Sequence, residues 1–125
     1  MAIVLDAGGL IAIERQERAV GAMLRVAQQE RTPVRTSAAV IAHTWRSGPR
    51  QANLARILTA VQVISLDGAA GKRIGEILAR TGTSDVVDGH VGLLVRDGDV
   101  VVTSDPDDLR LVLSERAVRA TTFTT

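Results

Sequence analysis

Apolar positions along the chain fall into short runs that alternate with longer stretches of helical spacing. Ala2 to Leu5 is an apolar run ending at Asp6-Ala7-Gly8-Gly9, which reads as a buried strand followed by a turn, with a helix from Leu10 to Arg15. Ala19, Ala22, Met23, Val26 and Ala27 recur at helical spacing and predict a second helix from about Glu17 to Gln29. Pro33 interrupts it, Val34 to Thr36 predicts a second strand, and Ser37 can cap a helix from Ala38 to Arg46. Beyond Gly48-Pro49, Ala52 to Ala60 reads as a helix, Val61 to Leu66 as a third strand, and Asp67 as the cap of a helix from Ala69 to Ala79 closed by Gly82.

Thr83-Ser84-Asp85 opens a helix through Val86 to Val95, and Gly98 ends it. Val100 to Thr103 is the most strand-like run, Asp105-Pro106 starts the last helix, and a terminal strand is expected near Val118 to Thr122. Strands separated by helices need crossover connections. The pattern therefore predicts an α/β fold: a parallel sheet of about five short strands with helices on both faces.

Length and composition make this one domain, residues 1–125: a chain of 125 residues that is 46% hydrophobic supplies one core and not two. That core is aliphatic, since only Trp45 and Phe123 are aromatic and no Tyr occurs. Aromatic stacking on nucleic-acid bases is nearly excluded. The absence of Cys removes disulfides, thiolate zinc sites and cysteine nucleophiles, and fits a cytoplasmic protein. Asp6 inside the first apolar run argues against a signal peptide or anchor, and no apolar run is long enough to span a bilayer. Net charge is +1, so any steering of an anionic partner must be local; all but one of the 15 basic residues are Arg, which suits bidentate phosphate contacts as well as it suits an arginine-rich proteome.

Three acids, Asp6, Asp88 and Asp105, fall where elements begin or end. Each has an ordinary explanation: Asp6 as a turn former, Asp85 and Asp88 as an N-cap and a first-turn charge, Asp105-Pro106-Asp107-Asp108 as helix-start grammar. Their joint placement points elsewhere. Asp6 and Asp105 both end predicted strands, and the carboxyl ends of parallel strands form the crevice where open α/β sheets bind ligands. Asp6 also lies in a near-continuous apolar stretch, where an unpaired carboxylate is costly and a cation would relieve it. Oxygen donors without Cys favour magnesium or manganese over zinc.

Four segments, Ile3 to Ala12, Ser37 to Arg46, Asp85 to Val91 and Val101 to Leu109, resemble the PIN-domain toxins of the VapC type in order and spacing, so that the resemblance covers essentially the whole chain. It implies a PIN-like fold and a metal-dependent ribonuclease using Mg2+ or Mn2+. Asp6, Asp88 and Asp105 match acids of the family's metal site, and Asp108 matches a further acid close to it. It also implies RNA as substrate, a cognate VapB-like antitoxin as partner and a homodimer, with a role as the toxin of a type II toxin-antitoxin module.

Two departures stand out. His43 occupies the helix position where the family carries a Glu; imidazole can ligate manganese but suits magnesium poorly, or His43 simply packs beside Trp45 or is exposed. Gly8 stands where a hydroxyl residue often follows the first acid. Arg15 and Arg46 are candidates for holding phosphate near the crevice, with surface charge or salt bridging as the alternative for each. His90 reads as structural or exposed, and Trp45 as a core or subunit-contact residue. The missing acid leaves a rival open: a weakened PIN domain acting as an RNA- or antitoxin-binding module. A phosphoryl-accepting α/β protein fits less well, because Gly8 stands where a dehalogenase-like phosphatase needs a second Asp and Lys72 lies on a predicted helix.

Overall fold

In the computed structural model, which describes all 125 residues, the elements run β1 (Ile3–Leu5), α1 (Ala7–Glu14), α2 (Arg18–Glu30), β2 (Val34–Ser37), α3 (Ala38–Thr44), a 3-10 turn (Pro49–Gln51), α4 (Ala52–Leu58), β3 (Gln62–Ile64), α5 (Gly68–Thr81), α6 (Val86–Leu94), β4 (Val100–Thr103), α7 (Pro106–Glu115) and β5 (Thr121–Thr124). The five strands form one parallel sheet in the order β3-β2-β1-β4-β5. β1 is central: Val4 lies opposite Arg35 of β2 and Val101 of β4.

This order sets the layers. From β1 the chain steps outward to β2 and β3, then crosses back over the sheet to β4 and β5, and right-handed crossovers put α1 to α4 on one face and α5 to α7 on the other. The packing agrees, with α1 against α2, α3 and α4, and α5, α6 and α7 against one another. Between the layers Val4, Leu5, Leu10, Val40, Val101 and Val102 are fully enclosed in an aliphatic core. The direction of winding reverses between β1 and β4, which opens the crevice where such sheets bind ligands.

Sequence expectations met the structure at most elements, and three differences have physical causes. Asp6-Ala7-Gly8-Gly9 is no turn: Asp6 caps α1, which begins at Ala7. Gly8 and Gly9 are helical because α1 lies tight on the sheet. A β-carbon on Gly8 would sit 2.7 Å from Ser104 Cβ, and one on Gly9 would sit 3.2 Å from the Val102 carbonyl oxygen. The glycines mark close approach rather than a break. Helix α3 stops at Thr44, short of Arg46, because the buried Gln51 side chain accepts from the Arg46 and Ser47 amides (2.7 and 3.0 Å) and donates to the Thr44 carbonyl (2.8 Å). The last strand begins at Thr121 and not Val118, since Ala117 turns left-handed (φ 54°) and the Val118 amide donates back to Leu113 (3.0 Å), closing α7.

The opposite pole of the sheet is held by Asp99, a buried acid that no motif singles out. Its carboxylate accepts from the Ala2 amide (2.7 Å) and the Arg96 amide (2.8 Å) and faces Arg35 at 3.9 Å, tying the entrances of β1, β2 and β4 together. No helix is long and apolar enough to cross a membrane.

Candidate functional site

Asp6, immediately after β1, is buried and held on both oxygens. Oδ1 accepts from the Ala7 amide at 2.7 Å, capping α1, and Oδ2 accepts from Thr103 Oγ1 at 2.8 Å. The Asp6 amide donates to the Val102 carbonyl (3.0 Å), so the carboxylate is placed by β4 as well as by β1. Thr103, the last residue of β4, also accepts the Asp105 amide on Oγ1 at 3.1 Å. One buried hydroxyl thus links Asp6 to the backbone of Asp105. Sequence reasoning passed over Thr103 because a Thr at a strand end is ordinary β-chemistry; only the parallel pairing of β1 with β4 brings it to Asp6.

Asp105 occupies the N-cap of α7, yet its side chain makes no capping bond. Asp108 lies in the first turn of the same helix, and Asp88 in the first turn of α6, whose N-cap Asp85 accepts the Asp88 amide at 3.0 Å. The three helices α1, α6 and α7 therefore present their positive N-terminal ends to the carboxyl ends of β1 and β4, and each brings an acid with it.

These acids act on one another. Asp88 is pushed up from an ordinary 3.8 to about 7, first by its own partial burial and then by the negative charges of Asp85, Asp6, Asp108 and Asp105. No protein cation relieves them, since the ion pairs of the molecule are Arg35–Asp99, Arg80–Glu115 and Arg110–Asp107. The carboxylates of Asp88, Asp105 and Asp108 have no hydrogen-bond donor from the protein, while that of Asp85 is used as a cap. A patch of five mutually repelling acids with no internal counter-charge suits a cation from outside. Its spacing is loose: no group of three or more His, Asp or Glu side chains is close enough to grip one ion by direct contact from every member.

None of the remaining candidates is hydrogen-bonded or ion-paired to these acids. His43 is exposed in the last turn of α3 and makes no hydrogen bond or ion pair with any of the acids. Arg46 is exposed and folds back on its own helix end, donating to the Trp45 and Ala42 carbonyls at 2.6 and 3.3 Å. Arg15 is the C-cap of α1, nine residues and so about 13 Å along the helix from Asp6. Trp45 is partly buried against the core and lines an open apolar groove of about 440 Å³ with Ile41, Leu58 and Val63.

His90 is structural. It is fully buried in α6, with Nδ1 2.5 Å from the Ser37 hydroxyl. Burial pushes its pKa below the ordinary 6.5, with Asp67 opposing. The Ser37 oxygen, which also accepts the Ala39 amide (2.9 Å), makes one hydrogen bond with the imidazole. This bond locks α6, which carries Asp88, to the end of β2.

No protein-family profile and no curated protein matches the chain. Solved structures do. VapBC2 from Rickettsia felis, bound to a DNA fragment from their promoter, contains a chain that superposes with a TM-score of 0.71 at 14% identity, covering 98% of this chain and 99% of that one. DNA-bound VapBC from Salmonella typhimurium gives a TM-score of 0.61 at 22% identity, covering 98% of each chain. At these identities the likeness establishes the fold, that of a PIN-like α/β domain.

Proposed function

We propose that this protein is a metal-dependent ribonuclease, the toxin of a VapC-type toxin-antitoxin pair, acting in the cytoplasm. The observation that carries the reading is the meeting of Asp6, Asp88, Asp105 and Asp108 at the β1–β4 crevice, where partial burial and then the neighbouring negative charges lift Asp88 to about 7. Full-length likeness to chains of two VapBC structures supports the toxin role and a VapB-like antitoxin as partner; the homodimer is proposed from the family resemblance alone.

The donor set fits a hard divalent cation. All its members are carboxylate oxygens, and none is neutralised by the protein. Mg2+ and similar ions are commonly held by one or two carboxylates and keep several waters, so loose spacing suits a water-rich shell. Asp6, Asp88 and Asp105 would hold the ion, with Asp108 beside them. A bound Mg2+ or Mn2+ would supply Lewis acidity and an acidified water for phosphodiester hydrolysis, with no covalent enzyme intermediate. The chain's own part is orientation. Thr103 and the Ala7 amide hold Asp6 in one rotamer, the Ser37–His90 bond fixes the helix that carries Asp88, and the ends of α1, α6 and α7 lend positive potential to an incoming phosphate. RNA preference then comes from surfaces that bind the strand, because attack by water makes no use of the 2′-OH.

His43 in place of an acid removes one negative charge from the family's ligand set. Mn2+, which accepts nitrogen more readily, is expected to support faster RNA cleavage than Mg2+, and His43→Glu to raise the Mg2+ rate by roughly tenfold. Cleavage of a single-stranded RNA by both proteins under both metals tests this; equal rates throughout would sink it. The exposure of His43 and the absence of a closed ion cage favour one second reading, a weakened PIN domain that serves as an RNA- or antitoxin-binding module.

A further inference from the structure

Ser104 is the residue of the crevice that the proposed chemistry does not yet use. It lies between Thr103 and Asp105, exposed at the rim, and its hydroxyl has no hydrogen-bond partner in the protein. Its position depends on a residue far away in sequence. A β-carbon on Gly8 would fall 2.7 Å from both Ser104 Cβ and Ser104 Oγ, and closer still to the Ser104 amide nitrogen. Any side chain at position 8 would thus push the Ser104 backbone outward. Gly8 therefore lets the β4–α7 junction close onto the first turn of α1, with the Ser104 hydroxyl beside the helix that Asp6 caps.

The chemistry of the neighbours defines what this hydroxyl can do. Asp6, Asp88, Asp105 and Asp108 offer acceptors only when ionised, and Thr103 gives its proton to Asp6. An anionic phosphodiester entering this crevice needs donors, and Ser104 is a hydroxyl there with its proton uncommitted. Hydroxyl side chains commonly position a nucleic-acid backbone in this way. Resting on the ribonuclease reading above, we propose that Ser104 is a substrate-positioning residue whose hydroxyl donates to a non-bridging oxygen of the RNA phosphate at the cleavage site, a contact for which Gly8 makes room. Ser104 is then no ligand of the ion, and its loss weakens RNA binding while leaving the response to metal intact.

The test uses wild type, Ser104→Ala and Ser104→Thr, with two readouts. One is the rise in melting temperature caused by Mn2+ alone. The other is the anisotropy of a labelled single-stranded RNA 12-mer in Ca2+, checked on a gel to stay intact. Expected are equal Mn2+ responses in all three proteins, RNA binding about tenfold weaker in Ser104→Ala, as for loss of one hydrogen bond to a charged group, and binding within about twofold of wild type in Ser104→Thr. Ser104→Ala binding RNA like wild type overturns the inference and leaves the ribonuclease reading standing. Loss of the Mn2+ response in Ser104→Ala also overturns it, by moving the hydroxyl to the ion. A wild type that neither responds to Mn2+ nor binds the RNA removes the ribonuclease reading, and this inference with it.

Discussion

At pH 8 the metal-free protein must carry an ionised Asp88 beside four other carboxylates. Because its pKa is raised from 3.8 to about 7, the folded state holds this proton over a range where the unfolded chain has released it. The folded state then binds more protons between those values, so stability falls as pH rises through them. Asp88→Asn keeps the shape and removes the charge. The variant should gain on wild type as pH rises from 5 to 8, melting roughly 2–5 °C higher at pH 8, a modest figure because Asp88 is only partly buried and solvent screens it. Mn2+ should raise the wild-type melting temperature at pH 8 and the variant's far less. A gap that stays constant across pH, or a variant that melts lower at pH 8, would remove the repulsion from the account. The acids themselves were legible in sequence as strand-end and helix-start residues. Thr103 and Asp99 were not, since both depend on which strand lies beside β1.

Helices α1 and α6 show why element boundaries were harder to read than element identity. Helix α1 is apolar on all sides, as a helix enclosed by the core and three other helices must be, so it gave no amphipathic signal, and its two glycines looked like a turn. Helix α2, lying on the surface, was legible from its spacing because one side is polar. Helix α6 uses glycine as α1 does: a β-carbon on Gly92 would fall 3.1 Å from Val112 Cβ and nearer still to Val112 Cγ1 of α7. Gly92→Ala should therefore overpack the α6–α7 contact and cost about 1–3 kcal/mol, well beyond the gain in helix propensity. Urea unfolding measures this directly, and a variant as stable as wild type would mean that the two helices are not pressed together there. The same displacement would shift Asp88 and Asp108, which ride on these two helices.

Across the whole molecule, function follows from where the sheet changes direction. Five short parallel strands with one reversal leave a single crevice between β1 and β4, and the residues that follow those strands, Asp6 and Asp105, fall on it with no further device. The alternation of strands and helices carried enough information to anticipate this sheet. That His43, Arg15 and Arg46 make no hydrogen bond or ion pair to the acids was beyond it, because side-chain direction near helix ends depends on local caps such as that made by Gln51. The proposed hydrolysis needs Asp6, Asp88 and Asp105 to form one ion-binding pocket. Isothermal titration of Mn2+ into wild type and Asp6→Asn, with circular dichroism to verify the fold of both, is the decisive experiment. Wild type should bind one Mn2+ per chain, and a folded Asp6→Asn should bind it at least tenfold more weakly and lose RNA cleavage. No heat of binding for wild type up to millimolar Mn2+ would rule that pocket out.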